Sequence, residues 1–347
     1  MLFRSLRSPV VYYDQHKPMS LVPANNLNPN IFGPELDQEP SRNGFGKGLV
    51  ELGESDPRVV ALCADLAEST RMHWFREAYP ERYVELGVAE QNLAVVGAGM
   101  AAEGKIPFVS SYAAFSPGRN WEQIRTTICL NDMPVKIVGS HAGISVGPDG
   151  ATHQALEDIA LMRALPNMTV VVPADSNEAR KATIAAAAHD GPVYIRLARE
   201  KAPVFTAEDT PFEIGKASVL WKSGTPEVAV IACGDMVYQA LQAAKELEGQ
   251  IGVTVINCAT IKPLDKATIL RECAEAGAVV TVEEHQTTGG LGGAVAELLA
   301  AQAPAPIEFV GISDRYGQSG TKKELYPEYG LDITSIVSAV QRAKERR

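Results

Sequence analysis

Apolar residues along this chain alternate between short continuous runs and longer stretches in which they recur every three or four positions. The continuous runs predict buried strands and the periodic stretches predict amphipathic helices. Between residues 41 and 200, the predicted strands are 59–64, 83–86, 107–111, 135–140, 169–173 and 193–197, and the predicted helices are 41–52, 89–103, 118–130, 156–165 and 177–189. Strands that are apolar along their whole length and separated by helices indicate a parallel sheet covered on both faces.

A second alternation of the same kind begins near residue 219. Its predicted strands are 228–232, 253–258, 278–282 and 307–312, and its predicted helices are 237–247, 266–276, 291–301 and 333–344. The pattern is lost at 201–218, which contains Pro203 and Pro211 and is interpreted as a linker. Residues 1–40 are rich in Pro and Asn and form an N-terminal arm, which either wraps a partner subunit or is a disordered tail. The chain is thus predicted to contain two parallel-sheet α/β domains, at 41–200 and 219–347.

Charge and composition narrow the class of partner. The formal net charge is −10 over 347 residues, which argues against nucleic acid or an anionic membrane surface as a partner. An anionic substrate would have to meet a local basic pocket. The chain lacks the apolar run of a signal peptide and any stretch near the roughly 18 apolar residues of a membrane span, so we expect a cytoplasmic protein. Five cysteines without a CxxC pair favour buried thiols over disulfides or zinc.

Candidate chemistry is concentrated at the carboxyl ends of the predicted strands, the edge at which parallel sheets bind ligands. Glu90 lies in the first turn of the helix that follows strand 83–86. Taken alone it is either a structural glutamate facing the helix dipole or a catalytic acid. His141 directly follows strand 135–140, and Asp149 and His153 lie in the turn-rich loop that comes next. These three polar side chains at one edge favour a binding site.

Several motifs resemble those of transketolases. GVAEQN around Glu90, PFVSSYAAF ending at Phe115, and GPDGATHQALEDIALMRALPNM from residue 147 are similar to the pyrimidine-binding domain of that family, over Arg42 to about Arg199. VEEHQTTGGLGG and DRYGQSG in the second unit resemble the transketolase C-terminal domain. Deoxyxylulose-phosphate synthases share AEQ and a DGxTHQ loop, but the run HAGISVGPDGATHQALEDIALMR is closer to transketolase.

The resemblance implies a thiamine diphosphate cofactor. Glu90 would hydrogen-bond the ring nitrogen of the aminopyrimidine and so activate the cofactor. Phe115 would stack on that ring, and Tyr112 would help to form the pocket wall. Asp65 is expected at the cofactor or at a subunit interface.

The resemblance also implies a substrate site. Its terminal phosphate clamp comprises Arg42, Ser69, His141 and Arg199, whose arginines suit phosphate oxygens. Asp149 would contact a donor hydroxyl, and His153, a catalytic residue, would face the reacting oxygen of the two-carbon unit.

One part of the family pattern is missing from this sequence. Transketolases hold a divalent metal and the cofactor's diphosphate through a Gly-Asp-Gly motif followed by Asn. The most similar sequence here is Gly234-Asp235-Met236, which lies at a strand end and is not followed by that Asn. We therefore expect no metal ligand on this chain. The resemblance implies the C-terminal subunit of a split transketolase, with an N-terminal subunit supplying the diphosphate-binding domain and the ligands of Mg or Ca, in a heterotetramer of two plus two.

The expected activity is transfer of a two-carbon ketol unit from a ketose phosphate to an aldose phosphate, once the partner is bound. A deoxyxylulose-phosphate synthase fragment and the β subunit of a 2-oxo acid dehydrogenase are the alternatives among enzymes. A noncatalytic assembly subunit is the alternative of a different class. The joint presence of the proposed site residues speaks against it.

Overall fold

The computed structural model describes residues 20–347, so the first nineteen residues of the predicted arm lie outside the described residues. The strands are β1 Gln38–Glu39, β2 Val59–Cys63, β3 Tyr83–Glu85, β4 Ile106–Tyr112, β5 Lys136–Ser140, β6 Thr169–Val171, β7 Val193–Arg196, β8 Ala202–Pro203, β9 Ser218–Lys222, β10 Val228–Ala232, β11 Val253–Asn257, β12 Thr260–Lys262, β13 Val279–Gln286 and β14 Ile307–Ile312. The α-helices are α1 Ser41–Ser55, α2 Ala67–Thr70, α3 Met72–Ala78, α4 Glu90–Ala102, α5 Trp121–Gln123, α6 Asp158–Arg163, α7 Ser176–Ala188, α8 Met236–Glu246, α9 Lys266–Ala276, α10 Leu291–Gln302, α11 Lys322–Glu328 and α12 Ile333–Glu345.

The N-terminal unit is built on a seven-stranded sheet of order β12-β6-β7-β5-β4-β2-β3. Neighbouring strands from β6 to β3 are parallel, and their side chains are mostly buried on both faces, as continuous apolar runs predict. The edge strand β12 is antiparallel to β6 and comes from the C-terminal half of the chain. A three-residue strand of this kind has no periodicity of its own, so the sequence did not predict it.

The C-terminal unit is built on a five-stranded sheet of order β14-β13-β10-β11-β9. Four strands are parallel and β9, at the edge, is antiparallel to β11. The prediction of an α/β fold is confirmed. Each sheet also has one antiparallel strand at its edge, β12 in the first and β9 in the second.

The two units share buried apolar contacts. One continuous cluster includes Ile137 and Val170 from the first sheet together with Ile231 and Leu291 from the C-terminal unit. Removing such a surface from water is worth roughly 25 cal/mol per Å². The hydrophobic effect therefore stabilises one arrangement of the two units.

The first described residues of the arm, 20–32, pack on the C-terminal unit of the same chain. Lys222 donates its backbone N–H to Ser20 at 2.7 Å, Ile31 is buried, and the rings of Phe32 and Trp221 meet edge to face at 5.8 Å. Strand β1 then pairs with β8. The described part of the arm is therefore held by its own chain.

The predicted helix over 118–130 is different in the structure. A short α5 is followed by a π-helix, Ile124–Cys129. The hydroxyls of Thr126 and Thr127 donate to the carbonyls of Glu122 and Gln123, four residues earlier, a contact that bends helices. Such π-helical turns are frequent next to functional sites.

Among the described residues, no helix combines the length and the apolar character that crossing a membrane requires. The five cysteines are all buried free thiols.

Candidate active site

The candidate site lies at the edge of the first sheet where its parallel strands end. Tyr112 is the last residue of β4, His141 directly follows β5, and Arg199 follows β7. Because β4, β5 and β7 are neighbours and parallel, their carboxyl ends bring these side chains together. Glu90 is the first residue of α4, which follows β3.

Glu90 presents a buried carboxylate with one oxygen held and the other free. Its side chain is 1% exposed, and Oε2 accepts a hydrogen bond from Nη1 of Arg119 at 2.8 Å. Its backbone carbonyl accepts a hydrogen bond from Nδ2 of Asn120 at 2.8 Å. Within residues 20–347, Oε1 has no hydrogen-bond partner. A ligand could therefore approach a carboxylate whose orientation is already fixed.

Aromatic rings form a wall beside Glu90. The rings of Phe115 and Tyr112 are stacked with centroids 6.1 Å apart, and His153 meets Phe115 edge to face at 5.4 Å. Tyr112 stacks on His141 at 3.9 Å. The guanidinium of Arg119 lies over Phe115, 4.8 Å from the ring centroid. The ring stack thus connects the surroundings of Glu90 to those of His141.

His141 is a buried neutral histidine beside two arginines. Burial, and then the charges of Arg42 and Arg199, lower the pKa of His141 to about 2. Nη1 of Arg42 lies 3.3 Å from Nε2 of His141, and the other ring nitrogen lies 2.9 Å from Oγ of Ser140. Because Arg42 can only donate, we assign Nε2 as the acceptor and Nδ1 as the nitrogen that carries the proton.

Arg42 and Arg199 are partly satisfied by the backbone. Nη1 of Arg42 donates to the carbonyl of Ser69 at 2.7 Å, and Arg199 donates to the carbonyl of Val146. Nε of Arg42 is buried without a partner in the described part of the chain. Burial, with the charges of Arg71 and Arg199, lowers the pKa of Arg42. An anion bound here would accept a hydrogen bond from Nε of Arg42 and would reduce the repulsion among Arg42, Arg71 and Arg199.

These arginines line a cleft of about 870 Å³ between the two units. Six of its lining residues are basic and two, Glu200 and Asp332, are acidic. The basic residues are Arg42, Arg71, Arg199, Lys201, Lys322 and Lys323. This cleft therefore carries a local excess of positive charge on an acidic protein, which would favour an anionic ligand.

The remaining predicted site residues form few hydrogen bonds with the rest of the candidate site. Asp149 is exposed and has no hydrogen-bond partner within residues 20–347. The one hydrogen bond of the His153 ring within those residues is with the hydroxyl of Thr152, at 2.8 Å. Ser69 contributes its backbone carbonyl rather than a hydroxyl contact. Asp65 is exposed after β2, and its N–H donates to Glu85; no hydrogen bond or ring contact links it to Glu90 or Phe115 in the described residues.

Sequence reasoning missed Arg119, Asn120 and Arg71. Arg119 follows Phe115 by one helical turn, and its N–H donates to the carbonyl of Phe115 at 3.0 Å. That spacing could have indicated a cation on the face of Phe115. The pairing with Glu90, across 29 positions, left no local signal.

No group of three or more His, Cys, Asp or Glu side chains within residues 20–347 is placed to hold a metal ion. The side chains around Glu90 and His141 are a buried carboxylate, aromatic rings and arginines. The site is thus suited to hydrogen bonding and stacking with a ring, and to binding an anionic group nearby.

Comparison with known proteins matches both units. Residues 39–204 match the model of the transketolase pyrimidine binding domain, and residues 215–336 match that of the transketolase C-terminal domain. The chain is 41% identical to the 6-deoxy-6-sulfo-D-fructose transketolase subunit SqwH of Clostridium sp. (strain MSTE9), over 91% of this chain and 98% of that protein. It is 37% identical to an apulose-4-phosphate transketolase subunit of Phocaeicola vulgatus, over 85% of this chain and 94% of that protein.

Among solved structures, the chain is similar to a split gene transketolase described as an inactive β4 tetramer. The TM-score is 0.83 and the sequence identity 46%, with 89% of this chain and 99% of the other covered. The family predicted from the motifs is therefore confirmed. This chain belongs to the transketolase family and comprises its pyrimidine-binding and C-terminal domains.

Proposed function

We propose that this chain is the catalytic C-terminal half of a thiamine diphosphate-dependent transketolase, which transfers a two-carbon ketol unit from a ketose phosphate to an aldose phosphate. One observation carries the proposal. The Glu90 and Phe115 group and the Arg42 and His141 group lie at one sheet edge, linked by the stack of Tyr112 on His141. Such an arrangement can hold a flat ring at one end and a substrate's anionic end at the other.

The residues around Glu90 fit the aminopyrimidine ring of thiamine diphosphate. Oε1 of Glu90 is a free acceptor for a ring nitrogen, and Phe115 offers an aromatic surface for stacking. When bound, the cofactor supplies the nucleophilic carbon that accepts the two-carbon unit. Glu90 holds the ring by a charge-assisted hydrogen bond, which is stronger than a neutral one.

His153 and Asp149 are assigned to the reacting part of the substrate. His153 meets Phe115 and Tyr112 edge to face and can donate to a developing oxyanion or hydroxyl. Asp149 is an exposed acceptor without a partner in the described chain, so it is available to a donor hydroxyl. Asp65 is assigned to the cofactor or subunit interface by resemblance alone.

Arg42, Ser69, His141 and Arg199 are assigned to the terminal anion of the substrate. Neutral His141 orients Arg42 by accepting its hydrogen bond, while both arginines supply charge. The names of the two relatives indicate a sulfonated ketose for one and a sugar phosphate for the other. Guanidinium groups bind phosphate and sulfonate oxygens alike, so both classes of sugar belong in the assay.

The partner is proposed to be an N-terminal subunit carrying the diphosphate-binding domain and the ligands of Mg or Ca. Three large apolar side chains on or directly beside α4 and the π-helix are exposed: Val88 at 70%, Val95 at 44% and Leu130 at 76%. Helix α4 packs against the π-helix that Leu130 follows, so these residues lie on adjoining elements. An exposed apolar face of this kind suits a protein interface. We propose a complex of two plus two chains in the cytoplasm.

The test is a coupled assay of ketol transfer with thiamine diphosphate and Mg, using the chain alone and then with the N-terminal subunit. Donors ending in a phosphate and in a sulfonate are compared. Activity only in the mixture supports a shared site, consistent with the relative described as an inactive β4 tetramer. Activity of the chain alone, or a stable complex without ketol transfer, would contradict the proposal. In the second case, pyruvate-dependent synthesis of deoxyxylulose phosphate and 2-oxo acid oxidation are assayed next.

A further inference from the structure

The loop between β5 and α6, residues 141–157, carries His141, Asp149 and His153 but has little regular structure of its own. It contains two short 3₁₀ turns over Ile144–Asp149, broken at Gly147 where φ is 80°. Asp149 has no hydrogen-bond partner in the described chain. The one hydrogen bond of the His153 ring there is to adjacent Thr152, and the ring also meets Phe115 and Tyr112 edge to face. The loop backbone therefore decides where Asp149 lies and whether His153 reaches those rings.

The C-terminal unit holds this loop through Glu284 on β13. Oε1 of Glu284 accepts the N–H of Ser145 at 2.5 Å, and Oε2 accepts the hydroxyl of Tyr326, on α11, at 3.0 Å. The carboxylate is 4% exposed. At Gly143, where φ is 90°, an added Cβ would lie 2.4 Å from Oε1 of Glu284. The carboxylate thus fits closely against the loop backbone, which only glycine permits at that point.

A second anchor joins the loop to residues 314–320, the DRYGQSG motif. Nε2 of Gln154 donates to the carbonyls of Ile144 at 3.0 Å and Gln318 at 2.9 Å. At Gly317 an added Cβ would lie 1.7 Å from Oε1 of Gln154. The motif's glycine therefore allows the close approach through which the C-terminal unit contacts the loop.

We propose that Glu284 is a positioning residue for ketol transfer, through which the C-terminal unit fixes the loop that carries Asp149 and His153. This inference rests on the proposed function for the role of those two side chains. Displacing reacting groups by about 1 Å can cost roughly 100-fold in rate. The cofactor residues Glu90 and Phe115 lie on other elements, so they should be insensitive to this anchor.

The main variant is Glu284→Ala in the complex with the N-terminal subunit. We expect kcat/KM for the sugar substrates to fall about 10- to 100-fold, while thiamine diphosphate affinity measured by calorimetry is unchanged. Glu284→Gln should recover most of the activity, because its amide oxygen can accept from Ser145 and its N–H can donate to the hydroxyl of Tyr326. A merely structural defect would not separate turnover from cofactor affinity in this way.

Glu283→Ala is the matched control. Glu283 is the adjacent residue and is equally buried, but its carboxylate accepts the N–H groups of Leu291 and Gly292 at the start of α10. We expect this variant to lower stability without changing kcat or KM per folded complex. Equal losses of turnover in the two alanine variants, or a parallel loss of cofactor affinity in Glu284→Ala, would overturn the proposal.

Hydrogen exchange of the complex gives a readout that does not depend on activity. Glu284→Ala should speed exchange in the peptide covering 142–152 and not in the peptide covering 90–102. Unchanged exchange in the loop would refute the anchor even if the wild-type complex transfers no ketol unit. If Glu284→Ala does not fold, Tyr326→Phe is used instead, because it removes one hydrogen bond to the Glu284 carboxylate. Turnover and loop exchange equal to the wild type in Tyr326→Phe would also overturn the proposal.

Discussion

Arg119 holds one oxygen of the Glu90 carboxylate and leaves the other free. Nη1 of Arg119 lies 2.8 Å from Oε2 of Glu90, which is buried, while about half of the Arg119 side chain is exposed. The same guanidinium covers a face of Phe115. The two groups proposed to bind the cofactor's ring are thus both in contact with one cation at the protein surface.

Replacing Glu90 by glutamine should abolish most ketol transfer without unfolding the chain. The amide keeps the size of the side chain and an oxygen for Arg119, but it cannot provide the charged acceptor or exchange a proton as a carboxyl does. We expect turnover of the assembled complex to fall by about 100-fold or more, the range for loss of an acid–base group. Thermal unfolding and complex formation should match the wild type.

Glu122→Gln is the control for that experiment. Glu122 is an exposed acid on the neighbouring α5 and contacts Gln123. Turnover close to wild type in Glu90→Gln, or an equal loss in Glu122→Gln, would remove Glu90 from its assigned role.

Removing Arg119 should destabilise the free chain through the carboxylate that it leaves behind. Arg119→Met keeps a long apolar stem but leaves buried Glu90 without its cation. Since Arg119 is half exposed, solvent screens the pair, and we expect a loss of about 1 kcal/mol. In the double variant with Glu90→Gln, most of that loss should disappear. Urea unfolding of the four proteins gives the coupling energy, and strictly additive effects would show that the pair does not stabilise the chain.

Much of the fold could be predicted because burial on both faces of a sheet leaves a strong sequence signal. All five residues of β10 are buried, and the strand begins and ends where its continuous apolar run predicted. The edge strand β14 also has its predicted bounds, although only Val310 and Ile312 are buried in it. Helix α9 has both predicted ends, with Asp265 capping its start and Gly277, at φ 82°, ending it. In these elements, the local sequence signals and the burial in the fold indicate the same bounds.

The strands and contacts that the sequence did not predict depend on residues that are distant along the chain. Strand β12 exists because it pairs with β6, and Glu284 meets Ser145 across 139 positions. Helix α11 did leave a signal, the capping box from Thr321 to Glu324. At the candidate site, the sequence and the family resemblance predicted Glu90, Phe115 and His141, but only the fold shows that Glu90 pairs with Arg119.

The proposed phosphate clamp predicts a selective change in Michaelis constant for Arg199→Gln. Glutamine removes the charge but can still donate to the carbonyl of Val146, which Arg199 contacts. We expect KM for phosphorylated sugars to rise about 10- to 100-fold, the value of a hydrogen bond to a charged group, with little change for unphosphorylated analogues. Arg125→Gln, which alters an exposed arginine without a side-chain contact in the described chain, is the control. An equal rise for both classes of sugar would place Arg199 outside the clamp.

His141 should make the folded chain more sensitive to acid. Burial and the neighbouring arginines lower its pKa from 6.5 to about 2, so below pH 6.5 the unfolded chain binds a proton that the folded chain does not. Stability should therefore be lost as the pH falls, and between pH 7 and 5 the contribution of His141 is about 2 kcal/mol. Urea unfolding at pH 7 and pH 5 measures this loss of stability. We expect the loss to be smaller by about 2 kcal/mol in His141→Gln than in the wild type. The same loss in both proteins would mean that His141 titrates normally.

The exposed apolar side chain of Val95 provides a test of where the partner binds. Val95→Glu places a charge on α4, whose first residue is Glu90, at a position that is 44% exposed in the free chain. The substitution should therefore leave the stability of the free chain nearly unchanged. Burying that charge without a partner in an interface is costly, so we expect the dissociation constant of the complex to rise at least about tenfold.

Phe309→Glu is the matched control, because Phe309 is also 44% exposed but lies on β14, at the edge of the second sheet. Weaker assembly in Val95→Glu alone, measured by analytical ultracentrifugation, supports a partner surface beside the active site. Equal effects of the two substitutions, or none, would place the partner elsewhere, and the shared site proposed around Glu90 would then lose its structural basis.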